Sequence, residues 1–113
     1  MLPRDSRTEE QKGGQVRSKF RSGQVVKVPC HVQPGAFPDE RLVTIPTDKG
    51  DISGFVKAEY VTESQGASGY VQGTVVEVGP DAIKVRLPGS FFTTALGVAS
   101  VSPSWASQHL AAA

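Results

Sequence analysis

The side chains able to do covalent or metal chemistry are few: one cysteine, Cys30, and two histidines, His31 and His109. Cys30 and His31 are neighbours in a segment where Val26, Val28, Cys30 and Val32 alternate with Lys27, Pro29 and His31. In a strand adjacent residues point to opposite faces, so these two cannot form a thiolate–imidazolium pair. In register with three valines, Cys30 reads as a small buried hydrophobe. A metal site needs three or four converging ligands, and the histidines stand far apart with no cysteine or carboxylate cluster beside either. The carboxylate pairs Asp39-Glu40 and Asp48/Asp51 fall in turn-like segments, where aspartate serves capping and solvation. No glycine-rich loop leads into a helix, and Gly89-Ser90 lacks the flanks of a nucleophile elbow. The expectation is a non-enzymatic chain that calls for no cofactor and no metal.

Binding chemistry is better represented. Phe91 and Phe92 are adjacent, so in a strand one of them must face away from the interior. Phe37 stands between Ala36 and Pro38 in a loop, and exposed aromatics are the usual mark of an association patch. Phe37, Phe55, Tyr60 and one of Phe91 or Phe92 are therefore the candidate contact surface, for a protein or peptide partner or a second copy of the chain in a homodimer. The alternative is a polyanion. Residues 1–22 carry six basic against three acidic side chains, +3, and the remainder six against eight, −2. Arg17, Lys19 and Arg21 in this arm, with Lys84 and Arg86 further on, can meet the phosphates of a nucleic acid or a cyclic dinucleotide. Glu77, opposite Lys84 and Arg86, instead suggests cross-strand ion pairing.

The elements that must position these residues are strands. Gln24 to Val32 alternates with one apolar face, and Pro29, lacking an N–H, suggests an edge or a bulge. Gln33 to Glu40 reads as a loop, Arg41 to Ile45 as a strand, Thr47-Asp48-Lys49-Gly50 as a hairpin turn and Ile52 to Val56 as its return. Gly54 suggests a bulge or close backbone approach. Thr62 to Ser68 is linker-like. Tyr70 to Val78 and Ala82 to Leu87 form a second hairpin around Gly79-Pro80-Asp81, with Ile83, Val85 and Leu87 inward. Pro88-Gly89-Ser90 turns into Phe91 to Thr94, and Val98 to Val101 is a last strand. Ser102-Pro103 pairs an N-cap residue with proline at the first helical position, predicting a short helix that returns Trp105 to the body.

An internal echo organises these strands. Gly-x-Val-Val-x-Val occurs at Gly23–Val28 and Gly73–Val78, and Val-x-[Ile/Leu]-Pro at Val43–Pro46 and Val85–Pro88. Val56 precedes Tyr60 by four residues, as Val101 precedes Trp105. Twelve glycines and eight prolines in 113 residues fit short strands and many turns. The fold class expected is all-β: a small, mostly antiparallel barrel of two similar units, 23–62 and 69–107, in one domain over 23–107. Residues 1–22 form a basic tail and 108–113 a C-terminal tail. Each unit of about forty residues is too small to hold a core without metal or disulfide, so the two should share one interior. No run of eighteen apolar residues suggests a membrane span and no leader is visible, making the cytoplasm the expected compartment.

The string Ser53-Gly54-Phe55-Val56-Lys57-Ala58-Glu59-Tyr60-Val61 resembles the closing segment of Src-homology-3-like barrels, where a Gly-aromatic-aliphatic strand leads through one 3₁₀ turn into Tyr-Val. Ala99 to Ala106 is similar in outline. The resemblance implies a peptide groove with Phe37, Asp39 and Glu40 facing Phe55 and Tyr60, although the aromatic-rich opening motif and tryptophan pair of the peptide-binding domains are absent. A fainter likeness is to PilZ-type barrels, which bind cyclic di-GMP through Arg-x-x-x-Arg and Asp-x-Ser-x-x-Gly. Arg17 and Arg21, then Asp51 and Ser53, match those motifs, while Val56 stands where the glycine belongs.

Overall fold

Nine short strands account for most of the described residues in the computed structural model, which describes residues 19–64, 66–91 and 97–113. They are β1 (Val25–Pro34), β2 (Glu40–Thr47), β3 (Gly50–Lys57), β4 (Val61–Glu63), β5 (Ser68–Val78), β6 (Ile83–Arg86), β7 (Ser90–Phe91), β8 (Val98–Val101) and β9 (Ala111–Ala112). A 3₁₀ turn, Ala58–Tyr60, follows β3, and one helix, α1 (Pro103–His109), follows β8. Every pairing is antiparallel, in the order β7-β3-β2-β1-β5-β6-β8, with β4 also on β5 and β9 also on β1. The sheet curls into a small, nearly closed all-β barrel. Period-two alternation sets its inside: Val26, Val28, Cys30 and Val32 from β1, Val43 and Ile45 from β2, and Ile83 and Val85 from β6 join one cluster. That cluster draws on both halves of the sequence.

Pro29 sits in neither an edge strand nor a bulge. β1 is internal, paired with β5 from Val25 to His31 and with β2 from His31 to Pro34. Hydrogen-bonding direction resolves the difference. Val32 donates its N–H to Ala67 on the β5 side, whereas the Val25 carbonyl accepts from Ala113 on the opposite side. Even-numbered residues thus bond toward β5 and odd-numbered ones away from it, so Pro29 turns its nitrogen away from β5. On that side β9 covers Val26 and Lys27, and β2 begins at His31. Extending the β1–β2 register (His31 with Thr44) would set Pro29 opposite Pro46. Two residues without N–H groups cannot continue a ladder. β2 therefore leaves β1 here, while remaining paired with β3.

The two Gly-x-Val-Val-x-Val strings pair with each other, Val25 with Thr74 and Val26 with Gly73, but their burial phases differ. In the first, Val26 and Val28 are buried; in the second, Gly73 and Val75 are, and Val76 is half-buried. The β5–β6 register shifts between Val75 and Glu77, so Val76 is the extra residue of a bulge. The bulge keeps Glu77 outside, 3.6 Å from Lys84, and packs Val78 against the core. The Val-x-[Ile/Leu]-Pro segments do face alike, with Val43, Ile45, Val85 and Leu87 all buried.

Other boundaries differ from expectation. Residues 62–68 are not a linker: Thr62 and Glu63 belong to β4, which returns on β5 in a tight hairpin closed by Ser64 N–H donating to the Ser68 carbonyl at 2.9 Å. Gln33, Pro34 and Glu40 are strand residues, so the loop is only 35–39. Gly54 makes no bulge; it pairs with Val43 and with Phe91.

Residues 20–22 and 103–113 form part of the fold. Phe20 is buried in the core, although the sequence around it shows no periodicity, and Ser22 donates to the Val76 carbonyl at 3.2 Å. Residues 1–18 lie outside the described residues. Ser102 caps α1, its hydroxyl accepting from the Trp105 N–H at 3.1 Å, with Pro103 at the first helical position. Ala106 and Leu110 are buried, Trp105 packs against the cluster, and β9 lies along β1, so residues 108–113 pack onto the barrel instead of trailing from it.

Gly73 is confined by packing. A Cβ there would stand 2.7 Å from Val85 Cγ1 and 3.4 Å from Val28 Cγ2. Gly73→Ala is expected to destabilise the fold by about 1–3 kcal/mol in urea denaturation. With space available, the smaller unfolded-state entropy of alanine would have given a stabilising change instead.

Candidate binding surface

Phe37 is held out into solvent by a loop pinned by several hydrogen bonds. Gly35 N–H donates to the Glu40 carbonyl and Glu40 N–H to the Phe37 carbonyl, both at 3.0 Å. The Glu40 carboxylate turns back to accept from Ala36 N–H at 3.0 Å. Arg41 then ties three segments together: Nη1 donates to the carbonyls of Pro38 (2.9 Å) and Glu40 (3.0 Å), and Nε to Glu63 Oε2 of β4 (2.9 Å). Ala58 N–H donates to the Asp39 carbonyl at 2.7 Å, fixing the loop to the 3₁₀ turn. Gly35 is required here, because a Cβ would lie 2.8 Å from the Glu40 carbonyl group. The Arg41–Glu63 pair is part-exposed and contributes on the order of 0–1 kcal/mol; its main effect is to orient the loop.

On this frame Phe37 is 65% exposed, more than any other large apolar side chain among the described residues. It borders an open hollow of about 690 Å³ whose other walls include Pro34, Pro38, Glu40, Arg41 and Glu63. Asp39 is exposed and Glu40 half-buried, the latter paired across the sheet with Lys57. Phe55 is half-buried. Tyr60 is 37% exposed but borders different hollows, one with Thr74 and Arg86 and one with Lys27 and Tyr70. The structure therefore joins Phe37 to Glu40, and Asp39 to the start of the 3₁₀ turn, without bringing Phe37 and Tyr60 into one groove. Phe91 pairs its backbone with Gly54, and Phe92 lies outside the described residues.

Among the candidate phosphate-binding residues, Arg17 lies outside the described residues. Lys19 donates to the Ser107 carbonyl in the last turn of α1 at 3.3 Å and lies 5.5 Å from the Phe20 ring centroid. Arg21 is exposed, its backbone N–H donating to Gln24 Oε1. Lys84 meets Glu77, as the hairpin register requires, and Arg86 is exposed. Asp51 is exposed, while Ser53 shares a 3.0 Å hydrogen bond with Thr44.

Sequence reasoning missed Arg41, Glu63 and Tyr70. Reading 62–68 as a linker hid β4, and with it the carboxylate that anchors Arg41. The outward phase of Tyr70, Gln72 and Thr74 was present in the alternation of β5.

Cys30 is buried and His31 exposed, on opposite faces of β1. No group of three or more His, Cys, Asp or Glu side chains converges among the described residues, nor is any described helix long and apolar enough to cross a membrane. No known protein family, characterised protein or solved structure matches this chain.

Two titrations follow from this geometry. Burial pushes the Cys30 thiol up to about 11, so at pH 8 the folded protein should react with an aromatic disulfide reagent far more slowly than the urea-unfolded chain. Equal rates would show that β1 opens readily. Asp48 is held below the ordinary carboxylate range by hydrogen bonds from Ser102, first from its hydroxyl and also from its N–H (3.3 Å). A lowered folded value stabilises the fold above the unfolded value, and that contribution is lost as pH falls through the folded one. Asp48→Asn should thus flatten the acid limb of a stability–pH profile while leaving the alkaline limb unchanged.

Proposed function

We propose that this chain is a non-enzymatic binding or assembly module that receives a segment of a partner protein against the β1–β2 loop. The observation that carries this is the combination at Phe37: a large aromatic ring left mostly in water on a loop that is already ordered. Exposing a phenylalanine forgoes about 1.5–3 kcal/mol of burial. Pre-ordering the loop lowers the entropy cost of association, the usual arrangement of an interface anchor. The adjoining hollow offers proline and glycine surface beside Phe37, with charge already balanced between Arg41 and Glu63. It suits an extended, weakly charged peptide segment.

A small antiparallel barrel with a 3₁₀ turn before Val61 is compatible with the Src-homology-3-like architecture, in which loops at this end of the barrel receive peptides. The contact of Asp39 with Ala58 supports the same placement. Self-association through the loop is one form of the reading, with a second copy as the partner.

The test is a selection of random peptides on the immobilised full chain, with sedimentation to detect self-association. Selected ligands, or the dimer, should lose about thirtyfold or more in affinity with Phe37→Ala, the effect of removing an interface anchor, while the thermal midpoint stays unchanged. Arg41→Ala should weaken binding less and also lower the midpoint. Monomeric behaviour with no selectable ligand, or ligands indifferent to Phe37→Ala, would refute the proposal.

A further inference from the structure

Four large apolar side chains are exposed among the described residues, and apart from Phe37 they gather on one side of the barrel. The sheet register shows why. Tyr70, Gln72 and Thr74 are the outward residues of β5. Their cross-strand partners on β1 are Pro29, Lys27 and Val25. Thr62 of β4 also faces Tyr70, and Arg86 of β6 faces Thr74. The 3₁₀ turn delivers Tyr60 onto the same face, where it borders both a hollow of about 80 Å³ with Lys27 and Tyr70 and one of about 200 Å³ with Thr74 and Arg86. Tyr60 thus stands between two cations, with a second tyrosine beside it.

The chemistry of the face is specific in three respects. Tyr60 and Tyr70 are 37% and 39% exposed, and neither makes a ring contact or a side-chain hydrogen bond among the described residues. Lys27 and Arg86 form no ion pair among those residues, whereas Glu77 is occupied by Lys84. The side chains between them, Gln72, Thr74 and Thr62, are neutral hydrogen-bonding groups. Glu59 is the one acidic side chain lining either hollow, and Ala113 lines the hollow of Lys27 and Tyr70 as well. Tyrosine and arginine also mark protein-docking patches, but lysine is depleted at the core of such a patch. Here flat π-faces alternate with cations, which matches a strand of unpaired bases joined by phosphates.

We infer that the outer face of β1, β5 and β6 binds single-stranded nucleic acid, with bases stacked on Tyr60 and Tyr70 and the backbone held by Lys27 and Arg86. The site draws on neither Phe37 nor Arg17, Lys19 and Arg21. Stacking is tolerant of sequence, so the face should accept RNA and DNA strands and prefer both to a duplex.

Fluorescence anisotropy with a labelled twelve-residue oligothymidylate and the full chain at 50 mM salt tests this. Binding is expected to weaken about tenfold with Tyr60→Ala or Tyr70→Ala, and to be largely restored by the corresponding phenylalanine, which keeps the ring. Lys27→Gln and Arg86→Gln should each lower the slope of log affinity against log salt by about 0.7, the value for one lost phosphate contact on a single strand. Absence of binding would overturn the inference. So would binding that survives both tyrosine substitutions but disappears when Arg17, Lys19 and Arg21 are neutralised, because the arm alone would then be responsible. A duplex bound as tightly as the single strand would overturn it too. Each variant is checked by circular dichroism, and the phenylalanine and glutamine variants keep the test decisive if an alanine variant unfolds.

Discussion

Every buried amide and carbonyl of an internal strand needs a partner, and in this barrel that demand falls hardest on β1. The strand is flanked on one side by β5 along most of its length, and on the other by two different strands in succession, β9 and then β2. Pro29 lies at the changeover, with its nitrogen turned toward the gap. Its missing N–H costs nothing there, and the proline opposite it in the extended register, Pro46, prevents β2 from continuing alongside. The divergence of β2 lets a flat ladder become a barrel. The turn between β2 and β3 is carried across to the C-terminal helix, where Asp48 meets Ser102.

The rest of the architecture follows from that divergence. Once β2 and β3 leave the plane, the opening at their end of the sheet must be covered by something apolar, and Trp105, Ala106 and Leu110 supply the cover. On the other side of β1 the bulge at Val76 makes a comparable adjustment, exchanging which residue faces the core without moving Glu77 inside. Both irregularities concern a single residue, and both keep charged groups in water while the interior stays wholly apolar. The proposed binding surfaces sit on the regular parts between them: the β1–β2 loop at one end and the alternating outer face of β5 in the middle.

Much of the fold was legible because burial in strands has a period of two. Val26, Val28, Cys30 and Val32, and likewise Ile83, Val85 and Leu87, announced their faces directly, and Ser102-Pro103 announced the helix start. What could not be read was anything decided by partners distant in sequence. The gap that accommodates Pro29 exists because β9 arrives from the far end of the chain. Phe20 is buried by strands it does not resemble, and the Ser64-to-Ser68 turn is a hairpin only because β5 offers β4 a free edge. The repeated Gly-x-Val-Val-x-Val string shows the same limit: identical local patterns met different neighbours and took different phases. For the candidate surface, the exposed aromatic in the loop was visible from its flanking residues. The Arg41 anchor was not, because its carboxylate partner lies twenty-two positions away.

The pairing of Lys27 with Ala111 joins β1, the first strand described, to β9, the last. Such a contact closes a loop of more than eighty residues, from Lys27 to Ala111, and the entropy of that closure must be met before the contact repays it. A barrel assembled this way should reach its final state slowly, with the central sheet forming first and the C-terminal helix seating last. Trp105, the single tryptophan, rides on that helix. Its emission would therefore mark the closing step, giving a built-in optical clock for the moment the barrel becomes sealed.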